Sequence, residues 1–279
     1  MRFQLDLTKE YGIVLEGGGA RGSYQIGAWK ALREAGIKIR GIAGASVGAL
    51  NGALICMDDL EKAEEIWENI RYSQVINVDD DVIETVKKLD LKSLDLVKVA
   101  EDAKRILKDK GLDITPLKNL IESVVDEDKI RSSDRELYLT TYSVTDRELL
   151  VLNAKDIPDG EIGDMLLASA YFPAFRNDKL GGKRYLDGGG WNNVPINILL
   201  EHDYKDILVI RIYGLGYDSE RTTEIPEDVH VTHIAPRQDL GGILEFDRTR
   251  ARKNMTLGYY DAKRVLYGRA LVLSLCAGV

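Results

Sequence analysis

The chain has 279 residues and a formal net charge of −8 at pH 7, with 44% hydrophobic and 30% charged residues. This composition is ordinary for a globular protein, and the length suits one large α/β domain. A negative net charge argues against a general nucleic-acid-binding protein, because neutralising phosphates needs a basic surface. With two cysteines far apart, Cys56 and Cys276, we expect no disulfide framework.

We expect a cytoplasmic location, because the absence of a disulfide framework suits a reducing compartment. Residues 1–10 are too charged for the apolar core of a signal peptide. No run approaches the roughly 20 apolar residues of a membrane span, and we expect the apolar residues 270–279 to be a terminal element packed on the core. Any contact with a membrane surface is expected to be transient, because the chain is acidic.

The first predicted unit is a strand, a glycine-rich loop, a helix and a second strand. Residues 11–15 form a short apolar run that is typical of a buried parallel strand. Residues 23–36 have apolar side chains at helical spacing and end in glycine, and 37–43 alternate as a strand. This order predicts a βαβ unit whose loops meet at the carboxyl ends of the strands, where open parallel sheets bind ligands.

A Gly-x-Ser-x-Gly pentapeptide, from Gly44 to Gly48, follows the second strand and is itself followed by a predicted helix over 47–55. In a nucleophile elbow, a central serine stands on a sharp strand-to-helix turn, and the flanking glycines avoid collisions with the strand and the helix. Ser46 is therefore a candidate nucleophile. The alternative interpretation is a serine that only caps the helix.

Residues 58–135 show helical patterns and no strand-like run, so we predict a helical insertion over one side of the sheet. Val82, Val86 and Leu89 have helical spacing. Thr115 before Pro116 predicts an N-cap with proline at the first helical position. The insertion either simply covers the core or also shapes an apolar channel beside Ser46.

Strand patterns return after residue 135, and the remaining elements are predicted in alternation. They are a hairpin of strands 136–144 and 148–152, a helix at 162–170, a strand at 184–186, a turn at 187–190, a helix beginning near 195, strands at 207–213 and 229–234, and an amphipathic helix at 248–267. The pattern predicts an α/β fold.

The loop from Glu16 to Gly22 is a candidate anion site, because backbone N–H groups at the start of a helix stabilise negative charge. Its Gly17-x-Gly19-x-x-Gly22 spacing matches a dinucleotide fingerprint. The second strand, however, ends in Gly44-Ala45-Ser46, without the acidic residue that would bind a ribose. If Ser46 is the nucleophile, the same loop would supply an oxyanion hole, with Gly18 and Gly19 as donors.

Two kinds of base for Ser46 are present in the sequence. Asp187, in Asp187-Gly188-Gly189, would accept the proton directly, although Asp-Gly is also a common hairpin turn. A triad with His230 or His233 would match the chain order of α/β-hydrolases. These two histidines are three residues apart on one predicted strand and point to opposite faces, so we expect no paired metal site. His202 is expected at the surface.

Four motifs together resemble those of the patatin-like phospholipase family and occur in that family's order. They are Glu16-Gly17-Gly18-Gly19-Ala20-Arg21-Gly22, Gly44-Ala45-Ser46-Val47-Gly48, Ser169-Ala170-Tyr171-Phe172-Pro173 and Asp187-Gly188-Gly189. The resemblance implies a three-layer α/β/α fold with a mostly parallel sheet. It also implies a lipid acyl hydrolase with a Ser-Asp dyad, which needs no catalytic histidine, metal or organic cofactor.

Each motif of the resemblance implies a role. Ser46 would be the nucleophile of an acyl-enzyme and Asp187 its general base, acting on phospholipids or other acyl-ester lipids. The implied oxyanion loop contains Gly17, Gly18, Gly19 and Arg21, which would help hold it, and the supporting glycines are Gly44, Gly48, Gly188 and Gly189. Asn192-Asn193-Val194-Pro195 is also family-like but has no chemistry assigned. A Ser-Asp-His esterase and a non-catalytic dinucleotide- or lipid-binding module stay as alternatives.

Overall fold

A seven-stranded sheet lies at the centre of the fold in a computed structural model, which describes residues 5–77 and 111–268. The strands are β1 (Glu10–Leu15), β2 (Lys38–Ala45), β3 (Glu136–Ser143), β4 (Glu148–Asn153), β5 (Tyr185–Asp187), β6 (Asp206–Ile210) and β7 (His230–Ile234). Their order is β4-β3-β2-β1-β6-β7, and β5 pairs with the last residues of β3. Only β4 and β5 are antiparallel to their neighbour, so the predicted mostly parallel sheet is confirmed.

Helices cover both faces of this sheet. They are α1 (Ser23–Glu34), α2 (Val47–Cys56), α3 (Leu60–Asn69), α4 (Tyr72–Val75), α5 (Thr115–Val124), α6 (Glu127–Ser132), α7 (Ile162–Ser169), α8 (Gly189–Asn192), α9 (Ile196–Glu201) and α10 (Arg248–Tyr267). Ile13 and Leu15 enter a large apolar cluster, and Val14 enters a smaller one with residues of α9. Successive strand side chains alternate between faces, which separates the core into these two layers. The expected layered α/β/α arrangement is confirmed.

The described part of the predicted helical insertion contains four helices, α3 to α6, joined by short irregular segments. The helix predicted from Val82, Val86 and Leu89, and the terminal element at 270–279 with Cys276, lie outside the described residues. Cys56 is a buried free thiol at the end of α2. Across the described ranges, no helix has both the length and the apolar character to cross a bilayer.

Two predicted boundaries are wrong, each because a carboxylate binds the backbone. Thr115 is the first residue of α5 and not its N-cap: the Asp113 carboxylate accepts hydrogen bonds from both the N–H (3.0 Å) and the hydroxyl (2.7 Å) of Thr115. β6 ends at Ile210 and not at Tyr213. The N–H groups of Ile212 and Tyr213 donate to the Glu16 carboxylate, at 2.6 and 3.0 Å, and the chain leaves the sheet there.

Candidate active site

Ser46 lies on a tight turn between β2 and α2 with φ 55° and ψ −127°, a strained conformation for a non-glycine residue. A Cβ at Gly44 would lie 2.5 Å from the carbonyl carbon of Gly48, and a Cβ at Gly48 would lie 2.1 Å from the carbonyl oxygen of Leu15. Both motif positions therefore require glycine. Within the residues that the structure describes, the Ser46 side chain makes no capping hydrogen bond to α2, which argues against the cap interpretation.

The third motif of the sequence holds this turn in place. Ser169, the last residue of α7, is fully buried, and its hydroxyl accepts a hydrogen bond from the Ser46 N–H at 2.9 Å. That bond gives the Ser46 N–H an acceptor on a strained turn, where regular secondary structure provides none. The serine of the Ser-x-x-x-Pro motif thus fixes the backbone of the candidate nucleophile.

Asp187 reaches Ser46 through the short antiparallel pairing of β5 with β3. Asp187 pairs with Thr141, whereas the preceding Thr140 pairs with Ala45 on β2. Because Ala45 directly precedes Ser46, this register places the carboxylate beside the turn. A Cβ at Gly188 would lie 2.3 Å from the carbonyl oxygen of Thr140, so the glycine after Asp187 allows the close approach. The chain then enters α8, which shows that Asp187-Gly188 is not a hairpin turn.

The carboxylate of Asp187 is desolvated but remains hydrogen-bonded. Burial raises the pKa of Asp187 to about 6, while hydrogen bonds from the Ser46 hydroxyl and from the Gly189 N–H act in the opposite direction. The Gly189 bond is 2.8 Å long. Part of Asp187 is accessible, and with Ser46 it lines an apolar cavity whose walls limit the water around it.

Two of the three histidines contact other residues, and the third is exposed. His233 Nε2 lies 2.6 Å from a carboxylate oxygen of Glu220. His202 Nδ1 lies 2.8 Å from the Ile198 carbonyl oxygen, and its ring packs on Tyr138. His230 is exposed at the start of β7. In the described structure, the aspartate and not a histidine is brought to Ser46.

Free N–H groups in the glycine-rich loop are confined to its centre. The Gly17 N–H donates to the Asn193 carbonyl (3.2 Å), and the Arg21 N–H donates to the Gly18 carbonyl (3.3 Å). For the N–H groups of Gly18 and Gly19, no acceptor occurs among residues 5–77 and 111–268. Gly18 and Gly19 also line the cavity with Ser46. The backbone N–H of Gly17 is thus removed from the predicted donors, which leaves Gly18 and Gly19.

The Arg21 side chain braces the loop and does not line the cavity. Its guanidinium donates to the carbonyl oxygens of Gly241 (2.7 Å), Ile212 (3.4 Å) and Tyr213. Glu16 binds the same segment from the other side, through the N–H groups of Ile212 and Tyr213. Burial raises the pKa of Glu16, and the Arg211 guanidinium 3.1 Å away acts against that rise. Segment 211–213 is therefore fixed from both sides against the candidate oxyanion loop.

Asn193 is a positioning residue, although no pattern in the sequence gives it a role. Its Nδ2 donates to the Gly17 carbonyl at 3.2 Å, and its own carbonyl accepts the Gly17 N–H. Hypothetical Cβ atoms at Gly17 and Gly189 would lie 2.3 and 2.4 Å from Asn193 Oδ1. Asn193 therefore joins the glycine-rich loop to the segment after Asp187. The only signal in the sequence was its place in a family-like segment.

An apolar cavity extends from Ser46 between α2 and the helices of the insertion. The insertion contributes apolar side chains that include Ile66, Ile70, Val75, Leu117 and Val124. The hypothesis that the insertion shapes an apolar channel beside Ser46 is confirmed. An acyl chain is the kind of ligand that such walls accommodate.

A family model and several known proteins match parts of the chain. The family model "Patatin-like phospholipase" matches residues 13–200. The chain is 58% identical over 50 residues to lysophospholipase nte1 of Aspergillus terreus and 57% identical over 47 residues to neuropathy target esterase sws of Drosophila sechellia. These matches cover 18% and 17% of the chain but 3% of each relative, so the chain spans a small fraction of those proteins.

A solved structure shares the fold. The crystal structure of VipD from Legionella pneumophila superposes with a TM-score of 0.54 at 14% identity, covering 91% of this chain and 66% of that one. At this identity, the likeness shows the architecture alone.

Proposed function

The chain belongs to the patatin-like phospholipase family, and we propose that it is a serine lipid acyl hydrolase of the phospholipase A, lysophospholipase or carboxylesterase type. The observation that carries the proposal is that Ser46 and Asp187 line the same apolar cavity, where the Ser46 hydroxyl lowers the pKa of the Asp187 carboxyl against the effect of burial. The proposed substrates are phospholipids or other acyl-ester lipids, reached during transient contact with a membrane surface.

The proposed reaction has two halves. As Ser46 Oγ attacks the ester carbonyl carbon, the Asp187 carboxylate accepts its proton, and the N–H groups of Gly18 and Gly19 donate to the oxyanion. Collapse of the tetrahedral intermediate breaks the ester bond, and the leaving alkoxide takes the proton from Asp187. Asp187 then deprotonates a water molecule that attacks the acyl-enzyme. Release of the fatty acid returns the proton to Ser46.

The environment of Asp187 supports its proposed role as a base. A carboxylate with its pKa raised to about 6 is a stronger base than an ordinary aspartate and is still mostly ionised at neutral pH. The strained turn at Ser46 and its bond to Ser169 hold the hydroxyl in one place, which reduces the ordering needed in the transition state.

A fluorophosphonate probe tests whether Ser46 is activated. We expect covalent labelling of the wild-type protein and none of Ser46→Ala, because the probe reacts with activated serine nucleophiles. Intact-protein mass spectrometry with a peptide map would locate the label. The matched control is Ser123→Ala, which removes an exposed hydroxyl on α5 and should leave labelling unchanged. An unlabelled wild-type protein would favour a non-catalytic binding module.

The pH dependence of hydrolysis should report Asp187. A protonated carboxyl group cannot accept the Ser46 proton, so kcat/KM should rise with pH, reach half its maximum near pH 6 and level off above pH 7. Below the midpoint, the rate should fall about tenfold per pH unit. A profile measured from pH 4.5 to 8 with p-nitrophenyl butanoate checks this, and a rate that is constant down to pH 5 would contradict it.

A further inference from the structure

One wall of the apolar cavity follows a single face of α2, starting at the candidate nucleophile. Val47, Leu50, Leu54 and Met57 all line the cavity, and their spacing of three and four residues places them in one stripe along the helix. At a helical rise of about 1.5 Å per residue, Met57 lies about 16 Å from Ser46 along the axis. The stripe therefore gives the cavity a defined direction away from the reacting atoms.

A second part of the cavity wall comes from α5. Leu117, Leu120, Ile121 and Val124 line the cavity, again at spacings of three and four, so one face of α5 is turned towards the cavity. The two walls meet at their far ends. There, Met57 Sδ accepts a hydrogen bond from the N–H of Asp126, which follows the end of α5, at 3.4 Å.

Beyond this junction the surroundings become polar. Val124 and Val125 line the apolar cavity, and they also line an open surface depression. The other residues of that depression are Asp59, Glu61, Lys62, Glu65, Ser123, Asp126 and Lys129. Two half-buried valines thus separate the apolar interior from a charged surface.

From this geometry we infer that Met57, Val124 and Val125 form an end wall that limits the acyl chain to about a dozen carbon atoms. The inference rests on the proposed acyl hydrolysis, because it takes Ser46 as the position of the carboxyl carbon. An extended chain advances about 1.2 Å per bond, as the three backbone bonds of an extended residue do. About 16 Å therefore holds roughly a dozen bonds, and carbons beyond them would have to displace the valines and enter polar surroundings.

Binding of saturated fatty acids to the Ser46→Ala protein tests the wall without requiring catalysis. In isothermal titration calorimetry at submicellar concentrations, we expect affinity to rise by up to about fourfold per methylene. The rise should stop near twelve carbons. Val124→Phe should move this limit to a chain several carbons shorter, and Val124→Ala should move it to a longer one. Ser123→Phe is the matched control, because it adds the same ring to a neighbouring residue that lines the outer depression alone.

Hydrolysis provides a second readout. With Ser46 intact, Val124→Phe should lower the rate ratio of p-nitrophenyl dodecanoate to butanoate about tenfold, whereas Ser123→Phe should leave that ratio within about twofold. A binding limit near twelve carbons that moves with substitutions at residue 124 supports the end wall, whether or not the protein hydrolyses esters. If the protein neither hydrolyses esters nor reacts with the fluorophosphonate probe, only the proposed function is overturned. Affinity that keeps rising to eighteen carbons, or an equal shift in Ser123→Phe, would overturn the end wall.

Discussion

Asp187→Asn should lower kcat/KM for a short p-nitrophenyl ester by about 10⁴-fold, the magnitude seen when the carboxylate of a serine nucleophile's proton relay is neutralised. Asparagine has nearly the same shape, and its Oδ1 can still accept the Gly189 N–H that Asp187 binds at 2.8 Å. It cannot accept a proton from Ser46. Steady-state rates at pH 8, where the wild-type carboxylate is ionised, measure this loss.

The unfolding equilibrium separates this loss of activity from a loss of structure. Burial raises the pKa of Asp187, so the folded protein disfavours the ionised form relative to the unfolded chain. At pH 8 the neutral asparagine removes this cost, and urea unfolding should show no loss of stability. Lower activity together with lower stability would leave the base role unsupported.

The histidines supply the opposing control. Changing His202, His230 and His233 together to alanine should leave kcat/KM within about threefold of the wild-type value. The rings of His202 and His233 contact other residues, and His230 is exposed. A Ser-Asp-His triad would instead lose most of its activity in this variant. Activity lost in the triple variant as well as in Asp187→Asn would replace the dyad by a Ser-Asp-His mechanism.

The elbow and the sheet were predictable because their signals are local. The structural roles of the apolar run at 11–15 and of the glycines around Ser46 depend on residues that are near in sequence or on the adjacent strand. Roles of this kind produce short sequence patterns, which can be recognised in a single sequence. The same locality explains why the hairpin of β3 and β4 was predicted close to its observed bounds.

The contacts that hold the oxyanion loop were not predictable in this way. Glu16 binds the N–H of Ile212, 196 residues away, and Asn193 binds Gly17, 176 residues away. A buried carboxylate bound to backbone N–H groups produces no periodic pattern, because any residue type supplies the N–H. For this reason the sequence misplaces the end of β6. Its apolar residues suggest a strand as far as Tyr213, whereas the N–H groups of Ile212 and Tyr213 bind the Glu16 carboxylate outside the sheet.

Gly48→Ala should be among the most destabilising substitutions to alanine in the chain, with a loss of about 3 kcal/mol or more in the free energy of unfolding. Its Cβ would lie 2.1 Å from the carbonyl oxygen and 2.8 Å from the carbonyl carbon of Leu15. These are backbone atoms of β1, a strand paired on both sides, so relief requires α2 to move. Because Leu15 leads into the glycine-rich loop, that movement also separates Ser46 from Gly18 and Gly19.

Gly163→Ala is the matched control, since it makes the same change in another helix. A Cβ at Gly163 in α7 would meet only Ile121 Cγ2, at 3.7 Å, an ordinary contact within the described structure. Alanine is favoured over glycine in helices by up to about 1 kcal/mol, so this variant should gain stability and keep its activity. Urea unfolding at pH 7 compares the two. Equal stability of the two variants would mean that the elbow is not held against β1, and the tight packing of Gly48 would lose its explanation.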